Sequence, residues 1–414
     1  PRVNFVMESV IEKDIVIVGG GIAGLTTSLG LHRLGIESLV LESSDGLRVS
    51  GFALTIWENG WKALDAVGVG DILRHQHIQL HGLVTTTLIT GKQTSTTSFK
   101  DDTRKHGPHE VRCVRRKLLL EAFANELPSG TIRYMSRVVA IQESGFSKIL
   151  HLADGTTIKT KVLIGSDGIN SIVAKWLGFN EASPIGRYAT RGYVELNNTH
   201  QLEPLFMQYF GKGFRAGVIP CDHKGVYWFF TWTPTIKDHQ NGLAQEPAKL
   251  KQYVLNKLEN MPSYVRSFIE NTELDAFHLA PLRHRHPWEL IMKNISKGNV
   301  CAVGDALHPM APDLAQGGCS TLEDGVVLAR CLGEAFSKNL KEGEEEYKMI
   351  EESLKKYAKE RRWRCIDLIT RSYIVGSIQQ SGSKLVNFFR DQILATFLAD
   401  ELLKKSEFDC GELK

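Results

Sequence analysis

Asp14-Ile15-Val16-Ile17-Val18-Gly19-Gly20-Gly21-Ile22-Ala23-Gly24 joins a β-branched apolar run to a glycine-rich turn. Ile15 to Val18 has no polar member, as a parallel strand covered on both faces requires. The next segment places Leu25, Leu29 and Leu34 near helical spacing and stops at Gly35. Ser38-Leu39-Val40-Leu41 then reads as a second buried strand, ending on Glu42. The spacing predicts a βαβ unit with a GxGxxG turn. Gly19 makes the tight turn, Gly21 lets backbone approach a pyrophosphate at the helix N-terminus beside Ile22 and Ala23, and Gly24 lets helix and strand pack closely. Glu42 is the ribose acceptor, at the roughly 20-residue separation this cradle uses. A glycine-rich turn alone would say little; strand, helix and acid together specify dinucleotide binding.

The whole chain bounds what surrounds this unit. Its 414 residues exceed the needs of one small core, so one large or two medium units are expected. With 42% hydrophobic residues, 23% charged residues and a formal net charge of +3, nothing argues for disorder or a nucleic-acid partner. The seven cysteines are scattered and lack CxxC spacing, which points to reduced thiols and excludes a zinc ribbon. No run reaches the roughly 18 apolar residues of a membrane span, and no secretory pattern opens the sequence, where Pro1 to Val6 precede the first methionine, Met7. A soluble, cytoplasmic, monomeric protein is expected, with the plastid open if a leader has been removed.

Two further strands end in glycine and acid. Val162-Leu163-Ile164-Gly165-Ser166-Asp167-Gly168 is one; Val300-Cys301-Ala302-Val303-Gly304-Asp305, continuing through His308 to Pro312, is the other. A dehydrogenase would carry NAD on the first unit, but the sequel expected of one is missing. The order of GxGxxG, DG and GD motifs resembles the group A flavoprotein monooxygenases, the family of para-hydroxybenzoate and salicylate hydroxylases, in its plant-type branch related to zeaxanthin epoxidase. The resemblance spans nearly the whole chain.

It implies an α/β fold: a Rossmann-like FAD-binding domain of the para-hydroxybenzoate hydroxylase type from residues 8–75, 105–180 and 285–375. A β-rich substrate domain from 76–104 and 181–284, and a C-terminal helical segment from 376–414, would complete it. The cofactor implied is FAD, with NADPH or NADH as transient reductant. Asp305 would hold the ribityl chain, and its carboxylate suits a polyol. Asp167 and Gly168 would lie near the pyrophosphate, Gly304 and Pro312 in the GD turn, and Val139 or Val138 beside the adenine. An arginine before a helix touches FAD in the family, and Arg115 is preferred here to Arg116. Gly317 and Gly318 begin a helix whose free N–H groups would stabilise charge on the reduced flavin. Cys319 beside them reads as small and apolar. Asp313 and Ala315 replace the family's usual Asn and Gly, and Ala174 with Lys175 replaces an arginine after the DG motif.

Between the DG and GD motifs a second sheet is expected. Its residues 226–232 put Val226, Trp228, Phe230 and Trp232 on one face and Tyr227, Phe229 and Thr231 on the other. By analogy with the family, one face lines a pocket under the flavin, and Tyr209, Trp228 and Phe230 are the expected substrate contacts. Gly211 to Gly217 is spaced as a hairpin turn and not as a second cradle. His75 with His77 and His284 with His286 could pair on strand faces, but no third ligand accompanies either, so no metal is expected. Leu250, Val254 and Leu258 mark a helix over the sheet. Tyr357 to Arg364 reads as a helix anchored by charge, and Phe388, Phe389, Ile393 and Phe397 as an apolar face docked on the body.

The implied reaction is reduction of FAD by NAD(P)H, capture of O2 as a flavin C4a-hydroperoxide, and hydroxylation of a small hydrophobic substrate, aromatic or a specialised metabolite. No side chain is required as nucleophile; His308 is the candidate base. The alternatives are epoxidation or oxidative rearrangement of an alkene, terpenoid or alkaloid, a peroxide-forming oxidase, and a non-catalytic binding protein sharing the plan.

Overall fold

The computed structural model describes residues 10–48, 52–100, 108–235, 246–337, 342–391 and 401–413. Its first sheet grows from the opening run. Ile15, Val16 and Ile17 are fully buried and pair in parallel with Val162, Leu163 and Ile164 on one side. On the other side Val16, Ile17 and Val18 pair in parallel with Leu39, Val40 and Leu41. Each such side chain removed from water stabilises by about 1.5–3 kcal/mol, so register and burial reinforce one another. Strand order is Ser296–Lys297, Val300–Ala302, Thr157–Gly165, Ile11–Val18, Leu39–Leu41 and Ile132–Arg133, with the hairpin Val138–Ser144 and Ser147–Leu152 joined through Thr157–Gly165. The three strands that carry the GxGxxG, DG and GD motifs are therefore neighbours.

The helix Ile22–Arg33 runs from the first turn and packs on the helix Gly317–Phe336. Their approach depends on small residues, since a Cβ on Gly30 would stand 2.7 Å from Cβ of Ala329, and one on Gly325 would stand 2.7 Å from Thr26.

The second sheet has seven strands, in the order His278–His284, Ser183–Glu195, Gly225–Trp232, Phe214–Pro220, Leu205–Phe210, Gly82–Thr87 and Gln93–Ser98. All neighbours are antiparallel except Leu205–Phe210 with Gly82–Thr87, a parallel pair drawn from distant parts of the chain. Gly211 to Gly213 forms the hairpin turn read from its spacing, with Gly213 at φ +80°.

The helices Pro247–Lys257 and Ser263–Glu270 cover the outer face of this sheet through Leu250, Val254, Val265, Phe268 and Ile269. Tyr209, Trp228 and Phe230 belong to that face, which corrects their expected role as substrate contacts. The Trp228 indole N–H donates to Thr272 Oγ1 at 2.8 Å, and Gly192 leaves the space the ring fills. Strand alternation sends Phe206, Gln208, Phe210, Tyr227, Phe229 and Thr231 to the inner side. Trp228→Ala is expected to cost about 3–5 kcal/mol of stability by leaving a cavity, while substrate KM stays unchanged. Denaturant unfolding alongside steady-state kinetics checks both halves of that statement.

His75 lies on the helix Gly70–Gln76 and not on a strand; its Nδ1 is 2.7 Å from the carbonyl of Asp71. His77 Nδ1 is 2.8 Å from the carbonyl of Leu73. His284 stacks on Tyr373 and His286 on Trp288. The long helix Glu344–Gln379 returns across both sheets, with Tyr357 donating to the Ala302 carbonyl at 3.1 Å. Phe388 and Phe389 are exposed and not docked on the body; Ile393 and Phe397 lie outside the described residues. Among the described residues no helix is long and apolar enough to cross a membrane.

Candidate active site

The carboxyl ends of the parallel strands and the inner face of the second sheet enclose one cavity of about 1080 Å³. Gly19, Gly21, Ile22, Ala23, Glu42, Val138, Val139, Asp167, Gly168, Asp305, Pro312, Gly317 and Gly318 are all on its wall. Gly24 and Gly304 stand behind it and shape the turns. A Cβ on Gly24 would meet the Gly19 carbonyl oxygen at 2.0 Å, and Gly304, at φ +59°, sits against Ala23. Ser166 Oγ donates to the carbonyls of Val18 and Gly19 at 2.8 and 2.9 Å, tying the DG strand to the first turn.

Glu42 is nearly buried, and its carboxylate accepts from the backbone N–H of Gly20 and of Ser44, each at 2.8 Å. Burial pushes its pKa up, but these backbone donors outweigh that and hold it below the usual value. It is ionised and still has acceptor capacity for a ribose. Asp167 accepts from the Ile172 N–H at 2.7 Å and from Ser171 Oγ; burial nonetheless raises its pKa.

A dinucleotide fits these residues. A Cβ on Gly21 would meet nothing within 4 Å, so the backbone there faces open space. Asp305 is exposed in the cavity between buried neighbours. The helix Gly317–Phe336 begins without a side-chain cap, leaving N–H donors and the positive end of its dipole at the wall.

Two expectations change at this site. The preference for Arg115 is reversed. Arg115 turns away, 3.6 Å from Glu195 and 3.9 Å from Asp222 and over the Tyr193 ring, whereas Arg116 lines the cavity near Asp305. Burial lowers the Arg116 pKa, and Asp305 opposes that. The two arginines straddle the junction between strand Arg112–Arg115 and helix Arg116–Glu126, so adjacent side chains diverge. Ala315 adopts a left-handed conformation, φ 48° and ψ 29°, at the position the sequence marked as a departure; for a residue with a Cβ this costs about 1–2 kcal/mol.

His308 is the second. It is fully buried, absent from the cavity wall, and bonded through Nε2 to Asp324 Oδ2 at 2.5 Å, so its role is structural and not that of a base. Asp324 also accepts from the Gly304 N–H at 2.8 Å and from Arg361 Nε at 2.7 Å, bracing the GD turn against the long helix. Burial alone would lower the His308 pKa, but the Asp324 carboxylate raises it above 6.5. A raised histidine pKa contributes its full stabilisation below 6.5 and loses it as pH rises through the folded value. His308→Gln should therefore lose about 3 kcal/mol relative to wild type at acid pH, and the deficit should shrink as pH rises. Urea unfolding of both proteins across that range is the check.

Sequence reading missed the residues facing the second sheet. Arg215, in the otherwise apolar strand Phe214–Pro220, lines the cavity although only 2% exposed. Its Nη1 donates to Gln379 Oε1 at 2.5 Å and to the Asp313 carbonyl at 3.2 Å, and its guanidinium lies 5.0 Å from the Phe229 ring centre. Asp313 is held by Arg187 Nη1 at 3.0 Å and Gln380 Nε2 at 2.9 Å. Gly376 lets the long helix approach, since a Cβ there would stand 2.1 Å from Asp313 Oδ2. The signal was available: a charge inside a run of buried apolar residues is retained only where it is paired. Arg191, Tyr227, Phe206 and Phe229 complete this wall. Cys319 is buried, its sulfur 3.4 Å from the Trp57 N–H, and its thiol is pushed up to about 12, chiefly by burial, which keeps it inert.

The profile of the FAD binding domain family matches residues 12–371. The chain is 52% identical to Monooxygenase 2 of Arabidopsis thaliana over 98% of its own length and 100% of the relative's. It is 35% identical to Monooxygenase 1 of the same plant, over 97% and 100%. Among solved structures, HpxO of Klebsiella pneumoniae complexed with FAD and uric acid matches with a TM-score of 0.80 at 21% identity, covering 99% of this chain and 100% of that one. The cavity, its dinucleotide cradle and these relatives lead to one conclusion: the chain belongs to the FAD binding domain family and is an FAD-dependent monooxygenase.

Proposed function

We propose that this monooxygenase takes its electrons from NAD(P)H and hydroxylates a small aromatic or heteroaromatic substrate bearing an ionisable hydroxyl or equivalent acidic group. The observation that carries this reading is Arg215, a guanidinium set in an aromatic wall opposite the dinucleotide cradle. Bound FAD supplies hydride acceptance and transfer of one oxygen atom from O2.

The protein's part is to bind, orient and exclude water. Phe206, Tyr227 and Phe229 offer faces for a flat ring, while Arg215 and Arg191 offer charge to its acidic edge. A charge-assisted hydrogen bond from arginine is short and about twice as strong as a neutral one. It favours the substrate anion, whose ring is richer in electrons and more reactive toward electrophilic oxygen. Tyr227 is pushed up to about 12, chiefly by burial, so it stays protonated and acts as a donor. The uncapped N–H groups at Gly317 and Gly318 would stabilise negative charge on the reduced cofactor. An uncharged alkene would offer no acceptor to Arg191 or to the Nε of Arg215, which has no hydrogen-bond partner in the protein although its Nη atoms are held by Gln379 and Asp313. Ring hydroxylation is therefore preferred to epoxidation.

The test begins with the visible spectrum of the purified protein. NADPH and NADH are then added in turn, in air, with a panel of phenols and hydroxylated heteroaromatics. A ligand that accelerates reductant consumption and gains one heavy-oxygen atom from labelled O2 supports the reading. A yellow protein that oxygenates only neutral alkenes would overturn the substrate class.

A further inference from the structure

We propose that Cys113 and Cys221 are an oxidative modification site, two thiols poised to form a disulfide that ties the two-stranded pair Ala53–Ile56 and Arg112–Arg115 to the second sheet when hydrogen peroxide reaches them. Their sulfurs are 3.4 Å apart, with the Cys221 thiol donating to Cys113, and both residues are completely buried. A disulfide needs about 2 Å, so the gap closes by small side-chain rotations. Cys113 lies on the strand Arg112–Arg115, which pairs with Ala53–Ile56 and leads into Arg116 on the cavity wall. Cys221 follows the strand Phe214–Pro220 and starts the turn to Gly225–Trp232, the two strands that carry Arg215 and Tyr227. Its backbone is fixed on both sides: its N–H donates to the Gly225 carbonyl at 2.8 Å, and its carbonyl accepts from Ile78 at 3.0 Å.

Access comes from the cavity and not from bulk solvent. Tyr227 and its cross-strand partner Ile219 both line the cavity, and Cys221 follows Ile219 by two residues, so the pair lies just behind the wall. Burial pushes the Cys113 thiol well up, which makes it a slow nucleophile toward any oxidant, so the bond forms only where peroxide is concentrated beside it. Peroxide released inside the cavity would reach the pair ahead of bulk reductant.

The chemistry balances with hydrogen peroxide as oxidant. One sulfur attacks peroxide, the O–O bond breaks, and a sulfenic acid and one water result. The second sulfur then displaces the hydroxyl as a second water, forming the S–S bond. The two thiols lose two protons and two electrons, and the peroxide accepts both. The link would close a loop of 108 residues and fix the Arg116 strand to the Arg215–Tyr227 hairpin. Which substrate the enzyme oxidises does not matter to this step.

The full-length protein with FAD bound is treated with hydrogen peroxide, quenched with an alkylating reagent and digested without reduction. A peptide pair joined through Cys113 and Cys221 is expected, reversible by dithiothreitol, with the unfolding midpoint raised by about 5 °C before reversal. Cys221→Ser should abolish both and leave a sulfenic acid on Cys113 that dimedone traps. The proposal fails if both residues are alkylated as free thiols while other cysteines oxidise, or if one becomes a sulfinic acid with its neighbour still free. The peptide map of the unaltered protein decides this even where the variant does not fold.

Discussion

Gly21→Val is expected to give a folded but colourless protein. Gly21 precedes the helix Ile22–Arg33 in extended backbone, φ −83° and ψ −170°, which any residue adopts. A Cβ there meets no protein atom within 4 Å, so the valine strains nothing in the fold. What it occupies is the space through which the helix N-terminus reaches a pyrophosphate, blocking the N–H donors of the following residues. The loss of FAD affinity should be at least 100-fold, or about 2.7 kcal/mol, with circular dichroism unchanged. Gly24→Ala supplies the contrast. Its Cβ would stand 2.0 Å from the Gly19 carbonyl and 2.7 Å from Ser166 Oγ, so flavin and stability should fall together. If Gly21→Val retains flavin at wild-type affinity, the cradle has been placed wrongly.

Arg215→Leu should produce the second large effect, confined to substrate. The leucine keeps the apolar strand filled, and Asp313 keeps Arg187 as its partner at 3.0 Å. Flavin should be retained, because Arg215 belongs to the wall opposite the cradle. Removing a buried charge that bonds an anionic ligand costs about 2–5 kcal/mol, so kcat/KM should fall by 30-fold to several thousand-fold. Reductant consumed in the presence of substrate should then end increasingly as hydrogen peroxide. Lysine is not expected to rescue, since a point charge cannot reproduce the planar fork. Unchanged kcat/KM with a phenolic substrate would remove Arg215 from the assigned role.

The FAD cradle was legible because its information is local. Strand, turn, helix and acid lie within about 30 residues of one another, and each glycine answers a geometric demand that sequence spacing encodes. The second sheet was legible as a sheet but not as a wall. Gly225–Trp232 is buried along its whole length, one face under helices and the other over the cavity. Alternation separates two faces, but with both apolar it carries no label for inside and outside. Sequence alone therefore does not separate Trp228 and Phe230, under the helices, from Tyr227 and Phe229, on the cavity. Arg115 and Arg116 failed for a similar reason, since a strand-to-helix junction sends neighbours in opposite directions. The Asp313 cluster was out of reach for another: Arg187, Arg215, Asp313 and Gln380 come from four separate stretches, and only the tertiary fold brings them together.

The parallel pairing of Gly82–Thr87 with Leu205–Phe210 also governs how the molecule can be made. During synthesis the first of these strands emerges long before its partner and must wait with an unpaired edge while the parallel nucleotide-binding strand Thr157–Gly165 is laid down between them. The second sheet cannot close until that later segment arrives, so a nascent chain stalled midway would expose aggregation-prone strand edges. Fragments cut at either side of this crossing should depend on chaperones or on one another, and co-expression of complementary pieces should recover what each alone lacks.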